Sequence, residues 1–310
     1  MAGQKHLDGK VAIVTGGAGG MGSWISRVFA EQGATVVVAD TGADVEGRAG
    51  VDPSRPNAVV EEIRNAGGKA TSFIGDIAEV DVAEELIRTT LDTYGGLDIL
   101  VCAHGILRER MVFNMSEEEW DAVVRTHMKG CWAPTKFASI YWRTQRDRGG
   151  RIIYFTSGAG IRGSAGQPNY SAAQEGKVGL MLAVSKELGR YGVTANCISP
   201  QASTRMTDRG RGVMEGSSES GVQTSAEATG TSGDPRNVTP AIVYLASDEG
   251  AEITGRVVGA TGNRITMWRE PRWTKSLYYE EPLWDIDTLF ELMPETLAAN
   301  GFPLPHPEGV

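Results

Sequence analysis

The chain has 310 residues, 41% of them apolar and 22% charged, with a formal net charge of −9. That length suits one large α/β domain or two small ones, the apolar share is enough for a core, and the acidic balance speaks against a nucleic-acid or anionic-membrane surface. The 40 glycines show no three-residue period, which excludes a collagen-like chain and assigns them to loops that need unusual backbone angles or close approach.

No apolar run is long enough to span a bilayer, and the first eight residues carry no apolar leader, so a cytoplasmic protein is expected. Val11-Ala12-Ile13-Val14 is a continuous apolar run, the pattern of a strand buried on both faces. Thr15-Gly16-Gly17-Ala18-Gly19-Gly20-Met21-Gly22 follows it. A helix is expected over 21–32, with Met21, Trp24, Ile25, Val28 and Phe29 on one stripe and Gly33 as its stop. A glycine-rich turn between strand and helix lets a pyrophosphate approach bare backbone at a helix N-terminus. The next strand, over 35–39, is closed by Asp40, 24 positions after Gly16. That spacing suits an acid accepting the ribose 2′-hydroxyl of NAD, and a carboxylate there repels the extra phosphate of NADP.

Residues 41–57 read as a surface insert rich in Gly, Asp and Pro. A helix over 58–66, a strand over 71–74, a helix over 80–94 and a strand over 97–102 follow. Ser116-Glu117-Glu118-Glu119 has the pattern of a capping box, so a long helix is expected through Trp120 and past Gly130. Strands over 151–156 and 194–198 flank a helix over 170–191. The last strand is expected over 256–260. Residues 205–235, poor in large apolar side chains, read as a mobile loop over the substrate, and the aromatic-rich 268–297 contains a short helix over 285–292. The alternation predicts a single-domain α/β fold, a Rossmann-type doubly wound parallel sheet with helices on both faces, over 5–262, with an extension over 263–310. Cys102, Cys131 and Cys197 form no CxxC pair and read as reduced, buried thiols. No metal-ligand spacing is present, so no metal is expected.

Further motifs fall in register. Asp76-Ile77 follows the third strand, Tyr170 stands thirteen positions after Ser157, and Asn196-Cys197-Ile198-Ser199-Pro200 follows the sixth strand. With the glycine turn, they resemble the classical short-chain dehydrogenase/reductase family. The insert after Asp40, His127-Met128-Lys129-Gly130 and Gly166-Gln167-Pro168-Asn169-Tyr170 are similar to the subgroup holding the dehydrogenase domains of peroxisomal multifunctional β-oxidation enzymes and their actinobacterial relatives. The resemblance implies an NAD(H)-dependent oxidoreductase interconverting a secondary alcohol and a ketone, on a hydroxyacyl thioester or a polycyclic alcohol, as a homodimer or homotetramer. It implies Tyr170 as general acid/base and Ser157 as its hydrogen-bonding partner on the substrate oxygen. For the cofactor it implies Gly16, Gly19, Gly20, Met21, Gly22, Asp40, Asp76, Ile77, His104, Gly105, Tyr170, Gln174 and Pro200.

Three positions depart from the family pattern. Gln174 stands where the family has a lysine, so the charge that lowers the tyrosine pKa is missing. Lys177, seven residues after Tyr170 and on nearly the same helix face, is a poor substitute for that lysine and is expected to face solvent. His104 replaces a small residue against the cofactor, as a packed side chain or a new titratable group. His127 replaces an asparagine and is a candidate proton relay to Tyr170. These departures leave open a second reading, a redox-impaired fold that binds NAD but performs a non-redox reaction or serves as an inactive partner.

Overall fold

The computed structural model describes residues 4–145, 148–210, 225–268, 276–277, 283 and 285–297. Two units are distinguished, Met1–Trp268 and Arg269–Val310. In the first, eight strands form one sheet: β1 (Val11–Thr15), β2 (Thr35–Asp40), β3 (Lys69–Ile74), β4 (Ile99–Cys102), β5 (Gly150–Phe155), β6 (Val193–Gln201), β7 (Val257–Thr261) and β8 (Arg264–Met267). Their order is β3-β2-β1-β4-β5-β6-β7-β8. Every pair is parallel except β7 with β8. This is the doubly wound sheet expected from the alternation, with β8 added. All four β8 residues are exposed, so no apolar run marked it in the sequence.

Parallel pairing requires helical crossovers, and the strand pattern explains how they bury both faces. On β1, Ala12 and Val14 pack into one layer with Ile25 and Phe29, while Ile13 packs into the other with Leu86 and Trp142. Helix α1 (Gly20–Glu31) supplies Ile25 and Phe29. Gly33 at φ +97° turns the chain out of it. Helix α2 (Ser54–Asn65) begins earlier than expected, so the end of the 41–57 insert is its first turn. Helix α3 (Val80–Tyr94) has its expected bounds and ends in a left-handed Gly95.

The helical stretch after Ser116 is not uniform. Both arms of the capping box are present, Glu119 N–H donating to Ser116 Oγ (3.2 Å) and Ser116 N–H to the Glu119 carboxylate (3.0 Å). Helix α4 (Glu117–Val124) then passes through a π turn, Arg125–Lys129, into α5 (Gly130–Thr144). Short α6 (Gly158–Arg162) follows β5, and α7 (Pro168–Leu188) leads back to β6. Within the expected 205–235 loop, Arg205–Gly210 forms a helix, α8, and Ser225 N–H donates to Asp208 (2.9 Å); residues 211–224 lie outside those described. Helix α9 (Thr239–Ala246) precedes β7.

In the second unit, α10 (Ile286–Leu292) is capped by Asp285, which accepts from Thr288 N–H. Trp273, Tyr278, Tyr279 and Trp284 lie outside the described residues. No helix among the described residues is long and apolar enough to cross a membrane.

Candidate active site

Neighbouring β1 and β4 carry their chains to opposite sides of the sheet, and the crevice beyond their C-terminal ends is where doubly wound folds bind ligands. The glycine turn sits there. Gly16 has φ +66°, and a Cβ on it would lie 2.5 Å from His104 Cα. A Cβ on Gly22 would lie 2.0 Å from the Gly16 carbonyl oxygen. These two glycines are therefore required by the turn's own packing. Asp40 is tied to the same turn, accepting from Ala18 N–H (2.9 Å) and Gly42 N–H (2.7 Å).

A cleft of about 640 Å³ opens here. Gly16, Gly19, Gly20, Met21, Gly22 and Asp40 line one end, with Asp76 and Ile77 beside them. Asp76 pairs with Arg125 at 2.8 Å. His104, Gly105, His127, Ser157, Tyr170, Gln174 and Pro200 line the same cleft. Every expected site residue is thus brought to one cavity. Sequence reasoning missed part of the wall: Arg55 folds the 41–57 insert inward by donating to the Gly42 and Ala43 carbonyls (2.9 and 2.7 Å).

Ser157 and Tyr170 approach from adjoining elements. Ser157 caps α6, its Oγ accepting from Ala159 N–H at 3.1 Å. Tyr170 lies in the first turn of α7, started by Pro168, and Gln174 lies one turn on. The helix is pinned to the end of β5 where Thr156 Oγ1 donates to the Gln174 carbonyl (2.9 Å). Burial pushes the Tyr170 phenol above its ordinary value, with hydrogen bonding from Gln174 and Ser157 pulling the other way. Gln174 is only 3% exposed, and its Oε1 has no hydrogen-bond partner. A buried acceptor left open on a cavity wall suits a hydroxyl donor from a ligand.

Behind this wall the structure departs from expectation. Lys177 is fully buried, with 0% exposure, and its Nζ lies 3.2 Å from His127 Nδ1. The seven-residue spacing from Tyr170 did place it on nearly the same helix face. What the sequence could not show is that the π turn covers that face. Burial lowers the Lys177 pKa, while the thiols of Cys131, Cys197 and Cys102 act to raise it. His127 is buried too. Its Nε2 lies 2.9 Å from the Ile106 carbonyl, and its ring meets that of Tyr170 edge-on, with centroids 5.2 Å apart at 83°. Both ring nitrogens are engaged by Ile106 and Lys177, so neither is directed to the Tyr170 hydroxyl. The direct relay expected from sequence is not formed.

His104 is half-buried and packs behind the cleft rather than across it. Its Nδ1 lies 2.6 Å from Thr15 Oγ1 and its Nε2 3.1 Å from the Thr126 carbonyl. Gly130 makes room, since a Cβ there would meet His104 Nε2 at 2.7 Å. Although sequence spacing offers no metal cluster, the fold gathers ligand atoms of Cys102, His104 and Cys131 within 4.8 Å of one another. The charge of Lys177 also acts on these two thiols, so the chain places a cation of its own beside them.

Comparison with known proteins bears on this arrangement. Residues 10–211 match the family model described as short chain dehydrogenase. The hydroxyacyl-CoA dehydrogenase ChsB1 of Mycobacterium tuberculosis is 37% identical over 285 residues, covering 90% of this chain and 86% of that protein. The peroxisomal multifunctional enzyme type 2 of Mus musculus is 40% identical over 208 residues, or 67% of this chain, but the match spans only 28% of that longer protein. A crystal structure of a short chain dehydrogenase from Mycobacterium avium superposes with a TM-score of 0.80 at 39% identity, covering 94% of this chain and 96% of that one.

Proposed function

The chain belongs to the short-chain dehydrogenase family and is an oxidoreductase, and from that premise we propose that it interconverts the secondary alcohol and ketone of a hydroxyacyl thioester, with NAD(H) as hydride carrier. The observation that carries this reading is the convergence of Ser157, Tyr170 and Gln174 on the cleft that the glycine turn opens. The thioester class is supported by the 37% identical hydroxyacyl-CoA dehydrogenase.

The residues present fit a dinucleotide. The turn excludes side chains at Gly16 and Gly22, Asp40 is an acceptor at the end of β2, and the Gln174 Oε1 acceptor is open. Gly19, Gly20, Met21 and Gly22 would hold the pyrophosphate, Asp40 the adenosine ribose, Asp76 and Ile77 the adenine, and Gln174 with Gly105 and Pro200 the nicotinamide half. The bound dinucleotide supplies hydride chemistry that no side chain here can perform. The side chains manage the proton. Tyr170 gives its phenolic proton to the substrate oxygen in reduction and takes it back in oxidation, while Ser157 donates a hydrogen bond to that oxygen. Gln174 donates toward the Tyr170 oxygen without bringing a charge. The phenol therefore stays protonated through the neutral range, which makes Tyr170 a ready acid and a weak base.

The test is a fluorescence titration with NADH and NADPH, followed by turnover on a 3-ketoacyl thioester. Binding of NADH about tenfold tighter than NADPH, with consumption of NADH, is expected. NADH binding without turnover on any ketoacyl thioester would overturn the oxidoreductase site as drawn, and tighter NADPH binding would overturn the role of Asp40.

A further inference from the structure

We propose that Lys177 is a positioning residue for the proton-transfer site: from behind the cleft its amino group holds His127 as the single tautomer with Nε2 protonated, and so fixes the wall against which Tyr170 is seated. This rests on the reading of Tyr170 as the proton-transfer group, while the hold on His127 follows from its contacts with a charged Lys177 and with Ile106. A lysine ammonium has only N–H groups to offer, so at 3.2 Å the His127 Nδ1 must accept. The proton of the neutral ring then lies on Nε2, and the Ile106 carbonyl stands 2.9 Å away to receive it. The Ile106 N–H, at 3.3 Å from the same nitrogen, is the longer contact.

The ring so held is wedged on two further sides. A Cβ on Gly105 would come 2.3 Å from His127 Cε1, so the cleft-lining segment 105–106 closes directly over the imidazole. On another side stands the ring of Tyr170. Turning or protonating His127 would therefore move both the cleft wall and the phenol.

Charged and titratable groups face His127 and its partner Lys177 from several elements. Lys177 and Tyr170 approach from α7 and His104 from the turn after β4. Cys102 of β4, Cys131 of α5 and Cys197 of β6 surround Lys177. No ion pair among the described residues gives Lys177 a carboxylate partner. A proton on Nδ1 would set two cations 3.2 Å apart with no anion between them. Burial first, and the Lys177 charge with it, thus hold neutral a histidine that in water would change charge near neutral pH.

The first experiment needs no variant. Nitrogen-detected NMR of histidine-labelled protein from pH 5 to 8 should show one ring, assigned by its loss in His127→Gln, with Nε2 protonated, Nδ1 bare and no titration. A ring at His127 that titrates in that range, or that carries its proton on Nδ1, overturns the proposal. The second uses Lys177→Met, checked for fold by its thermal melt. The His127 resonances should now show Nδ1 carrying a proton, as the second tautomer or by titration, and kcat/KM for ketone reduction should gain an acid limb between pH 5 and 8, falling about tenfold per pH unit. Lys177→Arg, which keeps a donor, should remove that limb again. An unchanged His127 spectrum in Lys177→Met overturns the proposal. If the spectrum changes as expected while the rate profile does not, the positioning of His127 stands and the role of Tyr170 falls.

Discussion

In the proposed reaction Tyr170 moves the proton, and its environment dictates a pH dependence. Burial raises its pKa, so the phenolate needed for alcohol oxidation is scarce at neutral pH. Oxidation measured as kcat/KM should rise about tenfold per pH unit from pH 7 towards 10, while ketone reduction, which uses the protonated phenol, should stay level over that range. Initial-rate assays in both directions check this. Gln174→Lys puts an ammonium one turn from the phenol and lowers its pKa. Oxidation at pH 7 should then rise by about tenfold or more in the same assay, with little effect on reduction. Ser157 and Tyr170 were legible through the family resemblance, because the family's motif is a fixed spacing along the chain. Lys177 was not: periodicity assigns its helix face, but only the packing of the π turn onto α7 shows that this face is buried. The same holds for the cluster of Cys102, His104 and Cys131, whose members come from a strand end, a turn and a helix.

At the scale of elements, the glycine turn and the capping box carry the clearest sequence signals. Both depend on contacts within a few residues. A methyl group on Gly22 would strike the Gly16 carbonyl oxygen, so Gly22→Ala should weaken NADH binding by about tenfold or more by distorting the start of α1, measured by fluorescence titration. Ser116→Ala removes one arm of the capping box and should cost about 1 kcal/mol, seen as a melt lower by about 2–4 °C, with kcat unchanged. Several elements escaped the sequence, namely β8, the π turn and the helices α6, α8 and α9. Strand β8 has no buried residue to write a pattern. The π turn adds one residue to a helical turn without changing composition, and Pro134 in α5 is no sign of it because the bulge lies before the proline, at Arg125–Lys129.

For the whole molecule, the strand order places the cleft at the point where the chain reverses its winding, and every residue assigned to it lies in the first unit. The doubly wound parallel class followed from the alternation, since parallel strands joined by right-handed crossovers leave few topologies, while the strand order itself is read from the structure. Stability against acid draws on tethers within that unit. Asp234, held between Arg236 and the Gly230 N–H, has its carboxyl well below the usual carboxylate range, chiefly through the hydrogen bond from Arg236. A lowered pKa contributes stability that is present above about pH 4 and is lost as the pH falls below it. Asp234→Asn should therefore lower the melting temperature at pH 7 and flatten the fall in stability below about pH 4, as read from thermal melts across that range.

All three cysteines of the chain are free and buried, one on β4, one on α5 and one on β6. A thiol reagent added to the native protein has nothing to react with until the molecule opens, so its reaction rate reads the opening equilibrium directly. The chain carries three built-in reporters of its own breathing. If strand and helix open together they label at one common rate, and if α5 detaches from the sheet first, Cys131 labels ahead of Cys102 and Cys197.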